Sequence, residues 1–304
     1  MATPLSGAAR VATPLSGAAR VATPLSGAAR VAAVLGWPVK HSLSPRLHGF
    51  WLARHGIDGA YVPLPVRPED LGATLDLLPR LGLAGVNLTV PHKEAALPLC
   101  HRLSPAASRI GAVNTLVFSA DGTISGDNSD GQGFLAGLAE AAPAFTPSAG
   151  PAVLLGAGGA ARSIAVALLD AGAPRLWLVN RTRAKAELLA EHLDDDRVRV
   201  ADWADRAGTL KGANLLVNTT VLGMTGQPPL DLDLSALPTA AVVADIVYSP
   251  LETPLLAAAR ERGNPTSDGL GMLLHQAAVG FAAWFGVAPT VDAALRAHVL
   301  EGLA

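Results

Sequence analysis

The sequence predicts an α/β protein with two domains: an amino-terminal α/β domain, then a Rossmann-type doubly wound domain that binds a dinucleotide. Three observations predict it. Beyond residue 30, short runs rich in Val, Leu and Ile alternate with Ala/Leu-rich stretches, the pattern of buried strands and the helices that cover them. A glycine-rich segment, Gly156-Ala157-Gly158-Gly159-Ala160-Ala161, follows one such run and opens a helical stretch. The 304 residues are enough for two cores of ordinary size.

Composition narrows the function classes. Half the residues are hydrophobic and 16% are charged, which suits a globular chain. A formal net charge of -2 and the lack of a basic stripe argue against nucleic acid or an acidic membrane surface as partner. No run approaches the roughly 18 apolar residues of a membrane span, and the first residues lack the apolar segment of a secretory signal. The single cysteine, Cys100, cannot form an intramolecular disulfide, which favours a reducing compartment. It sits in an Ala/Leu-rich stretch, expected to be helical, without an activating partner, so packing is its expected role.

Taken in order, the chain begins with the decapeptide ATPLSGAARV written three times over Ala2–Val31. Each copy is too interrupted by Gly and Pro for a helix or a buried strand, so residues 1–30 read as a disordered extension. Arg10, Arg20 and Arg30, with no acid among them, give a fainter reading as a transit peptide. Strands are expected at Val31–Leu35, Tyr61–Leu64, Gly85–Leu88, Thr115–Phe118, Val153–Leu155, Leu176–Val179, Leu215–Val217 and Val242–Ile246. Helices are expected at Pro45–His55, Glu69–Leu81, Ala160–Ala171 and Arg183–Leu193, and this alternation implies parallel sheets. The uncharged, Pro-rich Ala142–Pro151 reads as a connection, dividing the chain near Phe134–Gly150.

The glycine-rich segment has the spacing that phosphate binding needs. Gly156 permits the tight turn, Gly158 lets a pyrophosphate approach the backbone, and a small residue follows where helix and strand pack. Alone the motif is weak; its place between a strand and a helix strengthens it. The next strand ends in Asn180-Arg181-Thr182, with Lys185 a turn later, where NAD enzymes usually carry an acid for the ribose 2′-hydroxyl. Losing the carboxylate and gaining cations suits a 2′-phosphate, hence NADP(H).

Two charged residues stand out for chemistry. Lys93 follows a short strand and a proline, and Asp130 falls in the Gly/Asn-rich run Gly126–Gly131, expected to be a loop. Either one alone is more often a surface charge. Brought together in a cleft, they form a proton relay beside a carbonyl. The DNSDG run fails as a calcium loop, because position five would be Gly131 and position twelve Leu138, so no metal is expected. Ser42 and Ser44 flank one residue just before Pro45, where Ser44 is expected to cap a helix and both hydroxyls can cradle a carboxylate. His41 and His48 lack Cys or acidic partners at metal spacing and are expected to make structural hydrogen bonds.

Nine segments, in order, resemble the shikimate dehydrogenase family. They are HSLSP (His41–Pro45), NLTVPHK (Asn87–Lys93), IGAVNT (Ile110–Thr115), GDNSDGQG (Gly126–Gly133), GAGGAAR (Gly156–Arg162), NRT (Asn180–Thr182), NTTVLGM (Asn218–Met224), DIVYSPLETPLL (Asp245–Leu256) and DGLGMLLHQA (Asp268–Ala277). The resemblance implies a substrate domain over 31–133, a Rossmann NADP domain over 134–272, and helices in 273–304 that return to the first domain. It also implies reversible NADPH-dependent reduction of 3-dehydroshikimate to shikimate on the route to aromatic amino acids. The expected setting is the cytoplasm, with a monomer or homodimer acting on a small molecule.

Carried over by position, the resemblance makes Lys93 and Asp130 the catalytic pair. Ser42 and Ser44 would bind the carboxylate, Thr89, Asn114 and Gln276 the ring hydroxyls, and Tyr248 would line the ring. Gly156, Ala157, Gly158, Gly159 and Ala160 would hold pyrophosphate; Asn180, Arg181, Thr182 and Lys185 the adenosine phosphate; Ile246 and Gly269 the nicotinamide end. Departures from the family pattern include Gly49 for the usual Asn, Pro105 for an acid and Ser129 for Thr, and none touches Lys93 or Asp130. Rival readings are a quinate or aminoshikimate dehydrogenase of the same superfamily, and a metabolite sensor without catalysis. Retention of both members of the relay argues against the sensor.

Overall fold

The structure, a computed structural model, describes residues 25–303. The first two copies of the decapeptide and the start of the third lie outside the described residues. In chain order, the first sheet and its helices comprise β1 (Arg30–Gly36), α1 (Ser44–Arg54), β2 (Gly59–Pro65), α2 (Leu71–Leu77), β3 (Gly85–Leu88) and α3 (His92–Ala95). They continue with β4 (Arg102–Leu103), α4 (Pro105–Ile110), β5 (Thr115–Phe118), β6 (Ile124–Asp127) and α5 (Asp130–Ala141). The second sheet follows with β7 (Ala152–Leu155), α6 (Gly159–Asp170), β8 (Leu176–Val179), α7 (Arg183–Leu193), β9 (Val198–Ala201) and β10 (Leu215–Asn218). Then come β11 (Val242–Asp245), α8 (Pro254–Glu261), β12 (Thr266–Ser267), α9 (Gly269–Phe285) and α10 (Ala293–Leu300).

The second sheet is parallel in the order β12-β11-β10-β7-β8-β9. Its central strands are apolar on both faces, because helices cover both. Leu154 points towards Ile164 and Leu168 of α6, while Val153 and Leu155 point towards Leu255 and Leu256 of α8. The first sheet, β2-β1-β3-β5-β6-β4, is mixed, which corrects the expectation of parallel strands. β5 runs antiparallel to β3 and β6. The reason is the link between β5 and β6: the Ser119–Thr123 turn, closed by Ser119 N–H to Thr123 C=O at 3.0 Å, is far too short for a parallel crossover.

Helix α9 serves the first sheet. Its Leu274, Phe281 and Trp284 pack on Ala32, Val34 and Trp51, and the Trp284 indole N–H reaches the Leu116 carbonyl at 2.9 Å. Helix α5 joins the two sheets by packing on both α6 and α9. A Cβ on Gly133 would lie 2.6 Å from the backbone of Gln276, so the close crossing of α5 and α9 requires glycine there.

Local departures have local causes. The helix expected over Glu69–Leu81 is shorter: α2 ends at Leu77 and Pro79 opens a separate 3₁₀ turn, since proline offers no N–H to continue the ladder. Strands β4, β6, β9 and β12 were not expected; β4, β9 and β12 are edge strands, β6 stands next to an edge, and all four are short.

Candidate active site

The carboxyl-terminal ends of β1, β3 and β6, and the amino-terminal end of antiparallel β5, meet at one edge of the first sheet. This edge faces the carboxyl ends of β7 and β11 in the second sheet, the position where open α/β sheets bind ligands. A cavity of about 310 Å³ opens between them.

Lys93 and Asp130 meet on its wall. Lys93 sits on the single turn of α3, and Asp130 is the first residue of α5 rather than a loop residue as expected. Its N–H donates to Asn128 Oδ1 (3.1 Å), and Asn128 also accepts from Ser163 Oγ of α6 (3.0 Å), tying this helix start to the second sheet. Lys93 Nζ donates to Asp130 Oδ2 at 2.5 Å. The Asp130 side chain is 5% exposed and that of Lys93 17%, so water screens the pair weakly. Asn114 Nδ2 donates to the other Asp130 oxygen at 2.7 Å and lies 3.3 Å from Gln276 Oε1.

Ser42 and Ser44 line the same cavity. Ser44 does not cap α1; its own N–H donates to Ser42 Oγ at 3.3 Å, and Leu43 holds the cap position. The Ser42 hydroxyl hydrogen thus stays available to a ligand. Thr89, Tyr248 and Gln276 add to the polar lining, and Ala160, Ile246 and Gly269 close it from the second sheet. Burial pushes the Tyr248 phenol upwards, so it stays neutral.

His48 departs from expectation. Among the described residues, neither ring nitrogen has a hydrogen-bond partner; the ring instead stacks on Tyr61 at 3.9 Å, and burial lowers its pKa to about 3. His41 is exposed at the cavity mouth. Cys100 ends a 3₁₀ turn rather than lying within a helix, and burial raises its thiol to about 11.

Gly156, Ala157, Gly158 and Gly159 do not line the cavity, nor do Asn180, Arg181, Thr182 and Lys185. They continue along the edge of the second sheet at the ends of β7 and β8, as an elongated cofactor requires. Gly156 has φ +118°, and a Cβ there would lie 2.3 Å from Thr219 Oγ1. Gly158 heads α6 with no side-chain cap and with open space above its Cα, so backbone amides face outward where a pyrophosphate fits. Past β8, Arg183 is engaged by Glu187 and Asp202, whereas Arg181 and Lys185 are exposed and, among the described residues, join no ion pair. Two free cations with no acid at Asn180 fit a 2′-phosphate. Among the described residues, no group of three or more His, Cys, Asp or Glu is arranged to hold a metal ion. Nor, among them, is any helix long and apolar enough to cross a membrane.

Sequence reasoning missed Asn87 and Asp245. Asn87 lines the cavity and accepts from the Tyr61 hydroxyl at 2.7 Å. Its place at the end of a buried strand, two residues before Thr89, was the available signal. Asp245 ends β11 and accepts from Asn218 Nδ2, Val247 N–H and Thr253 Oγ1 at 3.0, 3.0 and 2.8 Å. Desolvation raises its carboxyl to about 6 against these bonds. Nothing in the sequence marks that convergence.

Residues 34–116 match the shikimate dehydrogenase substrate binding domain, 141–223 the shikimate / quinate 5-dehydrogenase family, and 269–297 the shikimate 5′-dehydrogenase C-terminal domain. A protein of Rhodospirillum rubrum named shikimate dehydrogenase (NADP(+)) is 62% identical over 270 residues, spanning 88% of this chain and 95% of the other. The chain belongs to the shikimate dehydrogenase family. A second member, from Paramagnetospirillum magneticum, is 60% identical over 268 residues, covering 88% and 97% of the two chains. Among solved structures, shikimate 5-dehydrogenase from Thermus thermophilus in complex with NADP(H) and shikimate superposes with a TM-score of 0.80 at 38% identity, covering 90% of this chain and 100% of that one. Quinate dehydrogenase from Corynebacterium glutamicum in complex with NAD gives 0.83 at 32%, covering 90% and 99%.

Proposed function

We propose that the chain catalyses the reversible NADPH-dependent reduction of 3-dehydroshikimate to shikimate, a step towards aromatic amino acids. The observation that carries this reading is the Lys93–Asp130 pair on a cavity wall that also presents Ser42, Ser44, Thr89 and Gln276. When bound, NADPH supplies the hydride. As the ketone oxygen gains negative charge, Lys93 Nζ donates to it, which an ammonium in a weakly screened site does well. Asp130 holds Lys93 on that oxygen; the proton reaches the oxygen from the pair through Lys93, and in the oxidative direction the hydroxyl returns it to the pair by the same path.

Ser42 and Ser44 at the start of α1 bind the ring carboxylate; Thr89, Asn114 and Gln276 take the ring hydroxyls; Tyr248 packs on the ring. Gly156 through Ala160 hold the pyrophosphate, Asn180 through Lys185 the 2′-phosphate, and Ile246 and Gly269 the nicotinamide end. The same reading gives a substrate domain over 31–133 completed by 273–304, a cofactor domain over 134–272, and a monomer or homodimer in the cytoplasm. The test is one assay: shikimate, quinate or no acid, each with NADP⁺ and with NAD⁺, followed by the absorbance of the reduced nicotinamide. Shikimate with NADP⁺ is expected to be fastest. Preferred turnover of quinate, or none with either acid, overturns the reading.

A further inference from the structure

The hydrogen bonds behind Asp130 have only one self-consistent direction. Asn87 Nδ2 donates to the Asn114 carbonyl (3.0 Å) and to Thr115 Oγ1 (3.2 Å). A backbone carbonyl can only accept, so the amide of Asn87 is fixed with its NH₂ on this side, and its Oδ1 is left for the Tyr61 hydroxyl. Thr115 Oγ1, accepting from Asn87, directs its own hydrogen to Asn114 Oδ1 at 2.9 Å. Ser129 N–H, a pure donor, points at the same oxygen from the other side at 3.0 Å. Asn114 is thereby held with its oxygen turned inward and its NH₂ turned to Asp130 Oδ1. The opposite rotamer would set two donors against an NH₂ and an oxygen against a carboxylate.

Thr115 and Asn87 face each other across β3 and β5, and Thr115 is 1% exposed. It does not line the cavity. We infer that Thr115 is a positioning residue: it fixes the polarity of the Asn114 carboxamide, which in turn holds Asp130 with its free oxygen on Lys93. This rests on the reading of Lys93 and Asp130 as the reacting pair. It also gives Asn114 a task besides meeting a ring hydroxyl, because its oxygen is fully engaged and only its NH₂ faces outward. Since the chain of bonds runs through buried groups, a broken link leaves an unsatisfied donor or acceptor rather than exchanging it for water.

The test compares Thr115→Val, which keeps the shape and removes the hydroxyl, with Thr115→Ser, which restores it. For shikimate oxidation, Thr115→Val is expected to lower kcat by roughly 10- to 100-fold, the range for a misaligned reacting group. KM for shikimate and Kd for NADP⁺ should change less than about twofold on the same reasoning. The solvent deuterium isotope effect on kcat should rise, because the proton transfer is what has been misaligned. Thr115→Ser should recover most of the rate. A packing defect would instead lower the melting temperature without moving the isotope effect, and serine would not rescue it. Where valine prevents folding, Thr115→Ala serves in its place. An active wild type with kcat unchanged in Thr115→Val, or equal losses in the valine and serine variants, overturns the inference. A wild type inactive on shikimate overturns the function proposed above instead.

Discussion

Lys93 Nζ and Asp130 Oδ2 lie 2.5 Å apart although they come from different elements, α3 and α5, that are separated in the chain by α4 and three strands of the first sheet. Three contacts hold this meeting. Asn128 fixes the start of α5, Asn114 takes the second carboxylate oxygen, and the Lys93 stem lies against Gly159 at the head of α6, 3.5 Å from where a Cβ would stand. The pair therefore joins the substrate side of the cavity to the loop proposed to hold the cofactor.

Lys93→Ala should lower kcat by about 10² to 10⁴, the range for losing a general acid–base group. Shikimate binding, followed by calorimetry, should fall much less. Asp130→Asn should act in the same direction, and the double variant should be less than additive, because members of one relay fail together. Near wild-type turnover in Lys93→Ala would remove it from the mechanism.

Arg181→Ala should weaken NADP⁺ binding by about 1.5–3 kcal/mol, the contribution of a charge-assisted bond to phosphate. NAD⁺ binding should scarcely change. Fluorescence titration of both cofactors checks this. Equal losses would assign Arg181 to the fold. Arg183→Ala is the internal control: its guanidinium is already engaged by Glu187 and Asp202, so it should discriminate less between the cofactors.

Two buried groups should pull the pH dependence of stability in opposite directions. His48 has its pKa lowered by burial from 6.5 to about 3, so it stays neutral in the fold while the unfolded chain binds a proton. Stability from this group is complete above 6.5 and is lost as pH falls towards 3, by up to about 5 kcal/mol. Asp245 has its pKa raised from 3.8 to about 6, so the folded chain binds the extra proton. Its effect is a stability that falls as pH rises from 3.8 to 6, by up to about 3 kcal/mol. Urea unfolding at pH 7 and pH 5 should show His48→Phe losing less stability on acidification than wild type, and Asp245→Asn losing more. Parallel behaviour of all three proteins would show that neither group titrates in this window.

The sequence carried the glycine loop and the central strands well because each signal is local. A run such as Ala152–Leu155 is apolar at every position, and the turn after it needs glycine at Gly156. The direction of β5 was not local: it depends on how far the chain travels between Phe118 and Ile124, and strand propensity is the same for either direction. The hydrogen-bond roles of His48 and Ser44 also escaped, because they depend on what the fold brings alongside. Tyr61 supplies a ring face where a donor was expected, and Ser44, expected to accept as a cap, instead donates its own N–H to Ser42 Oγ. Asp245 shows the same limit, since its three donors come from β10, the segment after β11, and the residue capping α8.

Among the described residues, the third copy of the repeat contacts Asp58 through Ser26 just before it enters β1, which sets the last expectation. Ser26 of the third copy donates through Oγ to Asp58 Oδ2 at 2.5 Å and through N–H to Asp58 Oδ1 at 3.1 Å, and Ala28 N–H returns to Ser26 Oγ. All three bonds are exposed, so together they should contribute no more than about 1 kcal/mol. Strand β1 begins directly after, with Arg30 in register with Gly59 of β2, so a cut beyond Arg30 would remove ladder bonds and core side chains. Deleting Ala2–Pro24 should therefore leave melting temperature and kcat/KM unchanged, since the cut stops short of Ser26 and of β1. Deleting Ala2–Gly27 also removes Ser26 and should lower the melting temperature by about 2–4 °C, the shift that 1 kcal/mol produces in a chain of this size. Catalysis should be untouched in both, because every residue assigned a role stands at Ser42 or later. A large drop for the shorter deletion would show that the first two copies dock on the domain. A large drop confined to the longer one would show that the Ser26–Asp58 contact anchors β1 more firmly than exposed hydrogen bonds ordinarily do.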